Sequence, residues 1–162
     1  MDISEENSCW SDFKKAYLGS IICTLLLLVK HLVTISIQGM KRYKGGSRPP
    51  EDSKGDAQYN FTTKVKDRTA IDEDLRWQSI VKNDMENNIL ALIIVWLGLI
   101  PSVQSSYILH IVMLAVFTLA RILFTIAYGL ALQPWRSILW LIAIIAMFTM
   151  AINALNGAIF ML

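Results

Sequence analysis

Apolar residues dominate four stretches of this chain: Ala16 to Met40, a polar approach from Leu75 that turns apolar at Ile89 and runs to Ile100, Tyr107 to Leu132, and Ile138 to Leu162. A helix needs about 20 such residues to cross ~30 Å of hydrocarbon. The pattern predicts an all-α integral membrane four-helix bundle in one domain over 1–162, with spans near 14–40, 75–100, 106–132 and 137–161. The intervening stretch 41–74 is polar, and Gly45-Gly46, Pro49-Pro50 and Gly55 give it turn chemistry. Pro101-Ser102 is expected to end the second span, and the short link to Tyr107 makes spans two and three an antiparallel hairpin. The chain turns again at Gln133-Pro134, and Trp135-Arg136-Ser137 opens the fourth span at the membrane surface. The first span is not expected to be a cleaved signal: Leu18 to Ile37 is longer than a signal core, contains Lys30 and His31, and has no small-x-small cleavage site.

With 54% hydrophobic and 17% charged residues, a freely soluble monomer is excluded as a reading. Charge sets the orientation. Lys41, Arg42, Lys44, Arg48, Lys54, Lys64, Lys66, Arg68 and Arg76 cluster between the first two spans, whereas Lys14 and Lys15 alone flank the N-terminal side and no base follows span four. The loop 41–74 is therefore expected in the cytosol, with Arg136 on the same side and both termini opposite. The sequon Asn60-Phe61-Thr62 then lies where glycans are not added. Cys9 and Cys23 would stand ~20 Å apart on one helix, so they read as small apolar fillers and not as a disulfide.

Polar residues inside the spans change the picture. Lys30, His31, Thr34 and Gln38 form a stripe on span one; a single His without further ligands makes no metal site, and none is expected elsewhere. Lys30 at such depth must pair or line a wet cavity. The approach to span two, Arg76 to Asn88, stays polar for three turns, with Arg76, Asn83 and Glu86 or Asn87 on one face and Lys82 four residues from Glu86. Span three carries Arg121, Thr125 and Tyr128 at helical spacing. Arg121 reads either as a ligand-binding cation or as half of an ion pair with Glu86 or Asp84 that locks helices together. Asn153, Asn156 and Gly157 on span four read as helix-association residues. The halves of spans two to four far from the loop read as apolar, which argues against a channel or transporter.

Taken together, Lys41 or Arg42, Arg76, Lys82, Asn83, Glu86, Tyr128 and Arg136 share one depth and come from all four helices. Guanidinium groups grip carboxylates, a carboxylate accepts an ammonium, and a cation beside a thiol favours its thiolate. Cys9 and Cys23 are expected to face away from this cluster, and no Ser is expected to have a His within reach. The nucleophile would then have to come from a cosubstrate.

Pro50-Glu51-Asp52, Arg76 followed by Asn83-Asp84-Met85-Glu86-Asn87, the run Ala120-Arg121 to Thr125 and Tyr128, and Gln133-Pro134-Trp135-Arg136-Ser137 together resemble the MAPEG superfamily of membrane-associated proteins in eicosanoid and glutathione metabolism. Their order looks most like microsomal glutathione transferase and its prostaglandin E synthase relatives. The resemblance implies a homotrimer with glutathione as cosubstrate, bound between subunits near the cytosolic face, and an apolar electrophile or lipid hydroperoxide arriving from the membrane lipid. It implies that Asn83, Glu86 and Lys82 hold glutathione together with Lys41 or Arg42, Arg76, Arg121 and Tyr128, while Arg136 stabilises the thiolate and Ser137 donates a hydrogen bond to the sulfur. It also implies a multi-pass protein of the endoplasmic reticulum membrane, with the mitochondrial outer membrane as a second location, a role in detoxification, and no nucleic-acid partner. Ser79, Val81, Phe124 and Trp140 depart from the usual Arg, two His and Tyr, which argues against prostaglandin synthase specificity. The alternative reading is a non-catalytic lipid-binding scaffold of the same fold, for which Arg136 would have no use.

Overall fold

A computed structural model describes residues 3–45 and 68–162. They form four helices: α1 (Ile3–Gly45), α2 (Arg68–Ser105), α3 (Tyr107–Gly129) and α4 (Trp135–Phe160). All four are long and apolar enough to cross a membrane. Pro50-Glu51-Asp52 and the Asn60 sequon lie outside the described residues.

α2 is the hub, packing against each of the other helices; α3 also touches both α1 and α4, while α1 and α4 do not meet. The sequence explains this, since α2 buries a stripe at helical spacing, Ile80, Asp84, Asn87, Ala91, Val95, Gly98 and Ser102. Leu27, Val95, Leu114, Phe117, Ala146 and Met150 meet inside, and Cys23 joins this core at 9% exposure as the small filler the sequence suggests. Leucines and isoleucines such as Leu25, Leu97, Leu119 and Ile145 point outward. On a spanning bundle that outer face meets lipid tails, so the close contacts inside must come from shape and polar pairing.

Helices run further than the hydropathy pattern indicates. α1 continues to Gly45 and α2 begins at Arg68, so both ends of the expected loop are helical. Lys41 of α1 pairs with Glu73 of α2 at 2.5 Å across these extensions. Pro101 does not end α2, which carries on to Ser105. The residues beyond it are held by α4: Ser105 Oγ donates to the backbone carbonyl of Asn153 (2.8 Å) and to its side-chain oxygen (2.9 Å), and Asn153 Nδ2 donates to the Ser106 carbonyl (3.0 Å). Ser106 then caps α3 by accepting from Leu109 N at 3.2 Å. Asn153 is thus the helix-association residue the sequence suggests, whereas Asn156 is exposed.

The same end holds a polar centre that the sequence reading did not find. His110 of α3 lies with Nε2 3.2 Å from Ser20 Oγ of α1 and Nδ1 3.3 Å from Ser102 Oγ of α2. All three are essentially fully buried. The expectations that no Ser has a His within reach, and that this half of spans two to four is apolar, are therefore corrected. Sequence separation hid the cluster, because α1, α2 and α3 each supply one member. Closed off inside the bundle, the trio acts as a hydrogen-bonded tie between helices.

Small residues set how closely α2 and α4 approach. A Cβ on Gly98 would stand 2.8 Å from the Ala154 Cβ, and one on Gly157 would fall on the Pro101 carbonyl. Backbone cannot step aside as a flexible side chain can. Gly157→Ala is expected to lower stability by about 1–3 kcal/mol through overpacking, read as an earlier thermal transition by circular dichroism in detergent. Asn156→Ala, on the exposed neighbouring position, should leave that transition unchanged.

Candidate functional site

The end of the bundle at which α1 finishes and α2 begins gathers the charged side chains. Its deepest element is a buried triad. Asp84 of α2 receives Arg121 Nη2 of α3 at 2.5 Å on one carboxylate oxygen and pairs with Lys30 of α1 through the other. Arg121 Nη1 also donates to Asn83 Oδ1 at 2.9 Å, and the Arg121 guanidinium lies over the Phe124 ring, 4.6 Å from its centroid. Arg121 and Asp84 have no exposed surface. Lys30 thus finds the partner its depth demands, and the ion-pair alternative for Arg121 is the arrangement present, with Asp84 and not Glu86 as the acid.

Toward the loop end, a cavity of about 470 Å³ opens between α1, α2 and α3. Lys30, Thr34, Lys41, Glu73, Arg76 and Thr125 bring polar groups to it, and Trp77 forms part of its wall beside Gly129. Trp77 can lie there because Gly129 has no side chain: a Cβ would be only 3.3 Å from the indole. Of the expected binding residues Arg76 lines this space, and so does Lys41 of the Lys41-or-Arg42 pair, whereas Arg42 is exposed at the end of α1 beyond it.

The remaining candidates lie on two other surfaces. Asn83 is half-buried, while Lys82 and Glu86 are exposed on the outer side of α2 and form no ion pair with each other, although their spacing permits one. Between α3 and α4, the Arg136 guanidinium sits over the Tyr128 ring, 4.4 Å from its centroid, and Tyr128 in turn packs edge-on to Phe124 at 5.5 Å. Among the described residues no carboxylate pairs with Arg136. Ser137 is exposed beside it at the start of α4. Arg136 and Tyr128 are thus brought together, Asn83 is tied to Arg121, and Lys82 and Glu86 face out of the subunit. Thr125 and Tyr128, expected to point the same way, diverge: Thr125 lines the cavity and Tyr128 meets Arg136.

Asp84 is the residue the sequence reading undervalued. Its signal was present, because Asp84 continues the buried stripe of Ile80, Asn87, Ala91 and Val95, whereas Glu86 falls on the opposite side of the helix. A carboxylate on the buried stripe and a lysine in the middle of α1 are each other's natural partners.

A positive charge that stacks on an aromatic ring and has no acid beside it can still offer its N–H groups to an anion. The search of curated proteins gives no match to this chain. The model of the MAPEG family, by contrast, matches residues 20–156, which takes in most of all four helices. With four spans, a buried Lys–Asp–Arg triad and Arg136 at the head of α4, this multi-pass membrane protein belongs to the MAPEG family.

Proposed function

We propose that the protein is a membrane-bound glutathione transferase of the branch that holds microsomal glutathione transferase and prostaglandin E synthase. It conjugates glutathione to apolar electrophiles and also uses glutathione to reduce lipid hydroperoxides. The observation that carries this reading is Arg136, a cation braced by Tyr128 and, among the described residues, without a carboxylate partner. In conjugation the glutathione thiol gives its proton to solvent, Arg136 stabilises the thiolate by proximity of charge, and Ser137 donates a hydrogen bond to the sulfur. The sulfur then forms its bond to the electrophilic carbon as the leaving group departs. With a hydroperoxide, two glutathiones become the disulfide while the peroxide becomes an alcohol and water.

Binding of the cosubstrate falls to Glu86, Lys82 and Asn83, with Arg42, Arg76, Arg121 and Tyr128 around them. Among the described residues Lys82 and Glu86 have no ion-pair partner, and both stand exposed on the outer side of α2, where each must find an opposite charge or water. A homotrimer that seats glutathione between subunits meets that need, with Glu86 taking the ammonium and Lys82 a carboxylate. Arg121 is already committed to Asp84 and Asn83, so its part is to hold Asn83 in position. The location is the endoplasmic reticulum membrane, with detoxification as the role.

Titration calorimetry of glutathione into the purified protein tests the reading. Wild type is expected to bind, and Glu86→Gln to bind roughly tenfold more weakly while turnover at saturation changes much less, as befits loss of uniform binding. A wild type that takes up no glutathione at all would put the lipid-binding scaffold in first place.

A further inference from the structure

Four side chains follow one another from the buried triad to the head of α4. Arg121, Phe124 and Tyr128 are spaced by three and four residues along α3, and helical side chains lean back over the turn before their own, so each lies against its predecessor. The Arg121 guanidinium covers the Phe124 ring at 4.6 Å, and Tyr128 meets Phe124 at 5.5 Å with the ring planes 73° apart. Arg136 covers Tyr128 at 4.4 Å. Two rings thus stand in line between two cations.

The ends of this line are held differently. Arg121 is fixed by Asp84 and Asn83, and Phe124 is only 3% exposed. Tyr128 and Arg136 are half-buried, and among the described residues neither side chain has a hydrogen-bond or ion-pair partner. Where the Arg136 guanidinium stands therefore depends on the Tyr128 ring, and where that ring stands depends on Phe124.

Phe124 is also a position at which this chain departs from the pattern it resembles, where His is usual. Burial against a guanidinium accounts for the exchange. A buried imidazole would need partners for both nitrogens and, once protonated, would face the Arg121 charge, whereas a phenyl face attracts a cation and needs no hydrogen bond.

We propose that Phe124 is a positioning residue, which carries the fixed geometry of the Lys30–Asp84–Arg121 triad through the Tyr128 ring to Arg136 and so sets where that cation meets an anion. A supporting contact of this kind matters because a charged group acts fully on a developing charge only when held within about 0.5 Å of its productive place. That the anion is the glutathione thiolate rests on the transferase reading; that Phe124 places Arg136 does not.

The first measurement is therefore made without glutathione, by nuclear magnetic resonance of the whole protein in detergent with its arginines labelled in nitrogen-15. The Nε–H signal that Arg136→Lys removes belongs to Arg136, and the ring current of Tyr128 should displace it in wild type. Phe124→Leu, which keeps an apolar side chain of similar size, should return the signal most of the way to its position in Tyr128→Ala. Phe124→Met serves in its place if Phe124→Leu does not fold. The second measurement is conjugation by wild type, Phe124→Leu, Arg136→Ala and the double variant across pH. Phe124→Leu should lower turnover at neutral pH by about threefold to tenfold, the worth of one ring–ring contact, and move the rise with pH upward. In the Arg136→Ala background it should have no further effect, because a residue that acts through Arg136 has nothing left to place.

An Arg136 signal unmoved by Phe124→Leu overturns the proposal. So does a loss of turnover as large in the Arg136→Ala background as in wild type, which would mark Phe124 as a packing residue alone. A signal that moves in a protein without conjugating activity supports the placing of Arg136 and rejects the transferase reading instead.

Discussion

Asp84→Ala should destabilise the protein by about 3–5 kcal/mol, the cost of removing one partner from a buried ion pair. The reason lies in the charge count. Lys30 and Arg121 share a single acid, so the native triad carries one net positive charge inside the bundle, and its loss leaves two cations facing each other in apolar surroundings. Arg121→Met should cost less, because a neutral Lys30–Asp84 pair remains. The triple change Lys30→Met, Asp84→Leu and Arg121→Met should recover much of the loss, since apolar replacements of similar size serve a buried site about as well. Thermal unfolding followed by circular dichroism in detergent gives the order. An Asp84→Ala variant as stable as Arg121→Met would mean that water reaches the triad and screens it.

The triad also marks how far the sequence could be read. The four spans followed from hydropathy alone, because the length of an apolar run is a direct measure of what can cross a bilayer. Helix ends were harder. Pro101 reads as a terminator, and nothing local says that Asn153, 48 residues further on, takes hold of Ser105 and keeps α2 going. His110 is hidden for the same reason: its two serines come from α1 and α2, and only the packing angle of three helices brings them to one point. Lys30 was legible as a residue in need of a partner, but choosing between Asp84 and Glu86 required knowing which face of α2 is buried. The periodic stripe supplies that answer when small and polar residues are counted along with the apolar ones. In a membrane bundle they must be, since interiors and lipid faces are equally apolar.

Of the site, pairing across adjacent helix ends was the legible part. Tyr128 closes α3 and Arg136 opens α4 after a short turn, so their contact follows almost from connectivity. Arg76, Asn83 and either Glu86 or Asn87 were expected on one face, yet Arg76 turns to the cavity between α1, α2 and α3, Asn83 to Arg121 and Glu86 outward, while Asn87 is buried. Helical spacing fixes the angle between side chains, and long ones then reach different neighbours from nearly the same stripe.

Arg136→Ala is expected to lower conjugation turnover by about tenfold to a thousandfold, the upper part of which is the cost of removing one preorganised donor to a developing anion. Glutathione affinity should change much less, because the charge on sulfur that Arg136 meets exists in the thiolate and hardly at all in the bound thiol. A pH profile separates this from a structural effect. On the proposed reading the thiol bound beside Arg136 should ionise below the ordinary thiol value of ~8.5, since a nearby cation favours the charged form; without Arg136, the rise of turnover with pH should move upward and high pH restore part of the lost rate. Tyr128→Phe keeps the ring on which the guanidinium rests and should retain most of the turnover, whereas Tyr128→Ala removes that ring and should behave as a milder Arg136→Ala. The measurement is conjugation of a chromogenic electrophile across pH and glutathione concentration, with the ultraviolet absorbance of the bound thiolate followed alongside. An Arg136→Ala protein with unchanged turnover and unchanged thiolate absorbance would remove this residue from the reaction, and with it the argument for a transferase over a lipid-binding scaffold.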